Sequence, residues 1–358
     1  MPTTPLSVRY EDDLRLFASV WRRIGIVLLA VGVVAFPFVV DGRWVMTANF
    51  ALVAVVGAVG LMILTGFTGQ ISLGHAAFLA IGAYTAAVTG DTFGLPFWLS
   101  IPLGGALAAL VGLAVGPFAL RLRGLYLAIV TLGLVFIVNH LLRAFPEVTG
   151  GLSGIRVPML WWFDGPRVGD ATWELGPLTL ASREQLYFLF VLITVGVVLF
   201  ATNLRRSRTG RAMNAVRDRD VAAAVMGVNV ARTKLEAFGI SSFIAGMAGA
   251  MFGYVQTFIT IDPPFNLIMS IEYIAMIVLG GVGTVVGAVL GGLAFVAIGP
   301  IAEHLLGGLP LLSELSSSQQ QRLMFAVIVG AFLLLEPLGL YGVWIRIKIY
   351  FMAWPFRY

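Results

Sequence analysis

The sequence contains no cysteine, which rules out disulfides, thiolate nucleophiles and thiolate metal sites. Histidine is nearly absent. His75, His140 and His304 are too scattered to supply paired metal ligands, so no metal site is expected. Charge is scarce: Asp, Glu, Lys and Arg make up 11% of 358 residues, against roughly a quarter in a soluble domain. No G-x-x-x-x-G-K-[ST] stretch occurs, so the chain has no P-loop with which to hold ATP. No pairing of carboxylates, or of a nucleophile with a base, points to a catalytic residue.

What fills the chain instead is apolar: 59% of residues are hydrophobic, and the mean hydropathy is +0.94. The expected fold class is an all-α polytopic membrane protein. A span needs about 20 largely apolar residues. Ten stretches approach that: 24–40, 45–64, 76–89, 96–120, 125–142, 186–202, 237–258, 267–279, 285–301 and 323–338. Ahead of them, Leu14, Phe17, Trp21 and Ile24 recur at helical spacing, so residues 1–23 are expected to form a helix on the membrane surface. With Glu11, Asp12 and Asp13 and no small-residue cleavage site, this segment does not read as a secretory leader. The net charge of +5 suits loops facing anionic lipid and does not argue for nucleic acid.

The basic residues orient the spans. Residues 203–236 hold eight of the 23 Lys and Arg, between two apolar runs, and a short basic loop belongs on the cytoplasmic side. Alternating outward from it also puts Arg121 and Arg123, the N-terminus and the tail 341–358 inside. These places together carry 17 of the 23. Both termini are therefore expected in the cytoplasm, with a permease domain over 24–340. The long loop 144–183, with Trp161, Trp162 and Trp173, then faces outward. Within the basic loop, Asp218 and Asp220 bracket a helix start, residues 221–226 favour helix, and Gly227 is a C-terminal stop. A short helix in water with Val221, Ala224 and Val225 on one face calls for a partner protein.

Two stretches break the apolar pattern at membrane depth. One is 65–75, with Gly66, Gly69 and Gly74 among Thr65, Thr68, Gln70, Ser72 and His75. The other is Gly280, Gly281 and Gly283. Each precedes an apolar helix, so they form a weak internal repeat, and paired glycine-interrupted spans point to a substrate path. Whether 66–89 and 267–301 cross fully or as broken helices stays open. Glu272 is the only carboxylate within 267–279, and no partner charge is expected in another span, so proton relay is disfavoured. Small residues four apart, as at Gly82, Ala86 and Gly90, at Ala245, Gly249 and Gly253, and at Gly283, Gly287 and Gly291, read as helix-packing faces.

Four stretches also carry a resemblance. Thr65-Gly66-Phe67-Thr68-Gly69-Gln70-Ile71-Ser72-Leu73-Gly74-His75 resembles the amino-terminal hallmark of the branched-chain amino acid ABC transporter permeases. Thr149-Gly150-Gly151-Leu152-Ser153-Gly154 is similar to that family's outer loop. Gly210-Arg211-Ala212 through Ala222-Ala223 and Met226-Gly227-Val228-Asn229 is similar to its cytoplasmic coupling loop. Ser270-Ile271-Glu272 with Met276 through Thr284 is the fourth match. Residues 24–40 and 149–154 resemble the longer of the family's two permease types. The chain departs from the pattern at Pro263-Pro264-Phe265, and at Arg217-Asp218-Arg219-Asp220, which is more charged than usual.

The resemblance implies a transport subunit, without an ATPase site of its own, in a multi-pass importer of the prokaryotic inner membrane. The implied substrates are branched-chain or other hydrophobic amino acids. It implies a second, shorter permease, two ATP-binding subunits that hold ATP and Mg, and an extracytoplasmic amino acid-binding protein. It assigns Arg211, Arg217, Asp218, Asp220, Ala222, Ala223, Ala224, Met226 and Gly227 to coupling, with Arg217 and Arg219 pairing with an acidic rim on the ATPase. Thr149, Gly150, Gly151 and Gly154 would dock the binding protein. The path would include Gly66, Gly69, Gln70, Ser72, Gly74, His75, Glu272, Gly280, Gly281 and Gly283. A urea or short-amide importer of the same family and a self-sufficient secondary carrier are the alternatives.

Overall fold

The computed structural model describes residues 20–122, 124–163, 166, 173–175, 178–180, 182–306, 316–336 and 338–352. The expected surface helix over residues 1–19, most of the long loop past 163, and Arg357 of the tail lie outside the described residues.

A helix occupies each of the ten apolar stretches. In chain order they are α1 (Val20–Val39), α2 (Gly42–Met62), α3 (His75–Asp91), α4 (Phe97–Arg121), α5 (Leu125–Ala144) and α6 (Ser182–Arg206). After the basic loop come α9 (Val230–Gln256), α10 (Leu267–Gly280), α11 (Val285–Leu306) and α12 (Ser317–Leu335). Among the described residues, six helices are long and apolar enough to cross a membrane: those within Gly42–Phe67, Phe97–Phe118, Tyr126–Ala144, Arg183–Arg206, Val230–Gln256 and Val285–Ala302. Val27–Val39 and Leu267–Gly280 are shorter apolar helices. The chain is an all-α polytopic membrane protein.

The short helix expected before Gly227 is present, and two further helices were not expected. The basic loop holds α7 (Arg208–Asp218) ahead of the expected α8 (Asp220–Val225), and α13 (Gly339–Met352) follows the last apolar stretch. Helix α7 starts where Ser207 Oγ accepts from Gly210 N at 3.1 Å, a serine N-cap. Helix α8 ends in a Schellman turn, with Val228 N bonded to Ala223 O and Gly227 N to Ala224 O, both at 3.0 Å. That turn needs the left-handed backbone Gly227 adopts at φ 85°.

Helices α2 and α9 lie at the centre, with 83% and 72% of their apolar windows buried. Around them α1, α4, α5 and α6 turn Leu28, Leu110, Phe136 and Leu192 outward, as a lipid-facing shell would. Lipid tails are as apolar as these side chains, so close backbone packing must hold the centre together. It does so at the small-residue faces. A Cβ on Gly249 of α9 would lie 2.0 Å from Leu79 O of α3, and one on Gly291 of α11 would lie 1.9 Å from Met276 O of α10.

Two small sheets complete the fold. Strand β1 (Ile155–Arg156) pairs antiparallel with β4 (Phe258–Ile259), and β2 (Trp173–Leu175) with β3 (Leu178–Leu180). The first ties the end of α5 to the end of α9.

Gly249→Leu is expected to destabilise by about 1–3 kcal/mol or more, because backbone cannot yield to the new side chain. Gly196→Leu on α6, where nothing lies within 4 Å of the added Cβ, is expected to be neutral. Thermal unfolding in detergent compares the two.

Candidate transport and coupling site

The first break begins where α2 widens into a π-helical turn, Ile63–Phe67, and ends before α3. Leaving the helix frees backbone groups that a membrane interior cannot hydrate. Polar side chains of the stretch and of neighbouring helices take them up. Thr68 Oγ1 donates to Leu64 O at 2.6 Å, and Thr65 Oγ1 to Gln70 O at 3.0 Å. Thr131 Oγ1 of α5 accepts from Leu73 N at 3.0 Å, and Ser72 Oγ from Gly74 N at 3.2 Å. Ser270 Oγ of α10 accepts from Ala76 N at 3.0 Å. The hydroxyls at 65–75 thus hold a non-helical segment inside the bundle.

The second break is Gly281–Thr284, between α10 and α11. Gly281 and Gly283 have φ of 117° and 87°, which non-glycine residues rarely adopt. Thr284 Oγ1 then accepts from Gly287 N at 3.0 Å at the start of α11.

The two breaks touch. A Cβ on Gly66 would lie 3.0 Å from Gly283 N. Arg217, at the end of α7, reaches this junction. Its Nη1 donates to Gly66 O, and its side chain packs over Gly69. A Cβ on Gly283 would lie 2.4 Å from Arg217 Nη1. One guanidinium from the basic loop is therefore lodged against both interrupted spans. Arg217 thus bonds within its own chain while remaining exposed, and Arg219 is exposed too.

Other contacts join the same region to the loop. Gln70 Nε2 donates to Thr68 Oγ1 at 2.9 Å and to Lys234 O, in the first turns of α9, at 3.3 Å. Lys234 Nζ lies 3.7 Å from Asp220 Oδ2 at the start of α8. A cavity of about 560 Å³ opens between the break and the loop, lined by Thr68, Gln70, Arg217, Asp220 and Lys234 among others. Beyond it α8 is anchored by Ala223, buried at 1% exposure, while Val221, Val225 and Met226 stand 68%, 85% and 74% exposed. Ala222, Ala224 and Asp218 are exposed too, and Arg211 bonds back to Arg206 O at 2.6 Å.

His75 lies deeper. It is buried, its ring hydrogen-bonds the Gly57 backbone, and it packs on Tyr273 of α10 with centroids 4.8 Å apart. Gly280 packs against Gly287 O. Glu272 is not brought to the breaks. It lies eight residues before Gly280, about 12 Å along the helix, in the half remote from the basic loop. There Arg322 Nε of α12 donates to Glu272 Oε1 at 2.9 Å, so the expectation that no partner charge stands in another span is wrong. The signal was present. Ser316 and Gln319 form a capping box, which starts α12 at Ser317 and puts Arg322 within the helix. Glu336 at its far end pairs with Arg346 of α13.

The turn 149–154 lies at the remote end. Thr149 Oγ1 donates to Leu142 O at 2.6 Å and accepts from Gly151 N at 3.2 Å. Thr149 and Gly151 are buried, and a Cβ on Gly154 would lie 2.7 Å from Ile259 O. These residues shape the turn, and Leu152, 83% exposed, is what it presents.

The family described as branched-chain amino acid transport system, permease component, matches residues 44–335. The chain is 36% identical over 290 residues to the high-affinity branched-chain amino acid transport system permease protein LivM of Escherichia coli K12, covering 78% of this chain and 68% of that protein. It is 27% identical to the fructose import permease protein FrcC of Rhizobium meliloti, over 79% and 78% of the two chains. It is 24% identical to the permease protein LivH of Salmonella typhimurium, over 82% and 92%. No solved structure matches. With most of its length matched and a relative this similar, the chain belongs to the branched-chain amino acid transport system permease family.

Proposed function

We propose that this chain is one of two permeases in an ATP-driven importer of branched-chain amino acids in the inner membrane. The observation that carries the reading is the continuity from α8 through Arg217 to both interrupted spans. Helix α8 is a soluble-facing knob with Val221, Val225 and Met226 exposed, an apolar surface suited to the groove of a separate ATPase subunit. A rigid shift of that knob moves α7, and Arg217 transmits it to Gly66 and Gly283 together. Two spans then move as one unit, as alternating access requires.

The basic loop and both termini face the cytoplasm in this reading, and the 149–154 turn faces the binding protein. The second permease is a shorter chain of the kind represented by LivH. ATP and Mg belong to the ATPase subunits, because this sequence has no P-loop. The Glu272–Arg322 pair removes the absence of a partner charge as an objection to a proton-coupled carrier, so dependence of uptake on ATP is what separates that alternative from the import reading.

Purification through a tag on this chain is expected to recover a second permease and two P-loop ATPases. In the reconstituted complex, Val225→Asp is expected to abolish ATP-driven leucine uptake while the protein stays folded. Arg217→Ala removes a charge-assisted hydrogen bond of about 2 kcal/mol, so uptake per ATP hydrolysed is expected to fall about thirtyfold. Uptake at the unaltered rate in both variants would refute the coupling route. Leu152→Arg is expected to raise the concentration of binding protein needed for half-maximal uptake, with basal ATPase activity unchanged.

A further inference from the structure

Glu272 and Arg322 do not sit in a plain packing interface. They line a cavity of about 560 Å³ in the half of the bundle remote from the basic loop. Most of the remaining wall is apolar, with Phe50, Phe252, Met269 and Phe295 contributing. Its inner side is closed by Met276 and by Tyr273, whose ring rests on buried His75. The size falls within the range of about 300–1,000 Å³ typical of small-ligand sites.

The charges are arranged for a particular kind of guest. A single cation and a single anion in an apolar wall are costly at membrane depth unless each is paired. They pair here through Arg322 Nε, the inner nitrogen, with the Arg322 side chain 50% and the Glu272 side chain 18% exposed. The terminal edge of the guanidinium can therefore take a second carboxylate, the geometry at which arginine binds best. Glu272 in turn can accept from an ammonium. A guest with an anion and a cation on one carbon would satisfy both and leave the site neutral, while its apolar side chain lies on the rings.

We infer that this cavity binds a zwitterionic α-amino acid with an apolar side chain, Arg322 taking the α-carboxylate and Glu272 the α-ammonium. The choice of amino acid rests on the import function proposed above. A zwitterionic lipid headgroup offers the same two charges, and the test separates them.

Tritiated leucine is titrated onto the complex in nanodiscs of phosphatidylglycerol, without ATP or binding protein. Saturable binding is expected. Leucinol, which lacks the carboxylate, and 4-methylpentanoate, which lacks the ammonium, are expected to compete at least about tenfold more weakly. The double variant Glu272→Gln/Arg322→Gln leaves no unpaired charge to unfold the protein, and is expected to lose leucine binding while keeping its elution profile. Binding unchanged in that variant overturns the site. Loss of leucine binding when phosphatidylethanolamine replaces phosphatidylglycerol assigns the cavity to lipid and also overturns it. ATP-driven uptake is measured on the same preparation with binding protein added. Uptake without equilibrium binding counts against this site alone, and binding without uptake counts against the import reading alone.

Discussion

Backbone groups inside a membrane must be bonded within the protein, and that constraint organises this structure. Where α2 and α10 stop being helical, their amides and carbonyls have no water to turn to. Each break is therefore sealed by something specific. Threonine and serine hydroxyls serve the first, Thr284 caps the end of the second, and Arg217 covers Gly66 O between them. Glycine is needed because the two breaks approach to backbone contact, and because an arginine side chain fills the remaining space.

This arrangement makes a cytoplasmic-type loop part of the membrane machinery. The loop does not end at the surface. Helix α7 lays one arginine against Gly66 O, and α8 keeps Val221, Val225 and Met226 exposed. Lys234 and Gln70 tie the start of α9 to the same point. In the proposed coupling, a force on α8 would reach both interrupted segments through these contacts.

The two ends of the bundle have different chemistry. The end with the basic loop carries the polar junction. The remote end carries an aromatic cavity with one ion pair, and a turn whose shape comes from buried Thr149 while Leu152 is presented outward. Between them the buried rings of Tyr273 and His75 join α3 and α10.

The membrane class, the ten apolar helices, the glycine breaks and the short helix before Gly227 were legible in the sequence. Each depends on local composition: hydropathy, the absence of charge, and glycine where a helix must stop. The capping box at Ser316 was legible as well, and it would have placed Arg322 within a span. What only the tertiary structure decided were the long-range pairings: Arg217 with Gly66, Glu272 with Arg322, and Gly66 against Gly283. Each joins residues at least fifty positions apart. Hydrophobic periodicity says which face of a helix turns inward, but not which helix meets it. In this bundle that choice is made by backbone contact at small residues, whose spacing is the same in every helix that carries it.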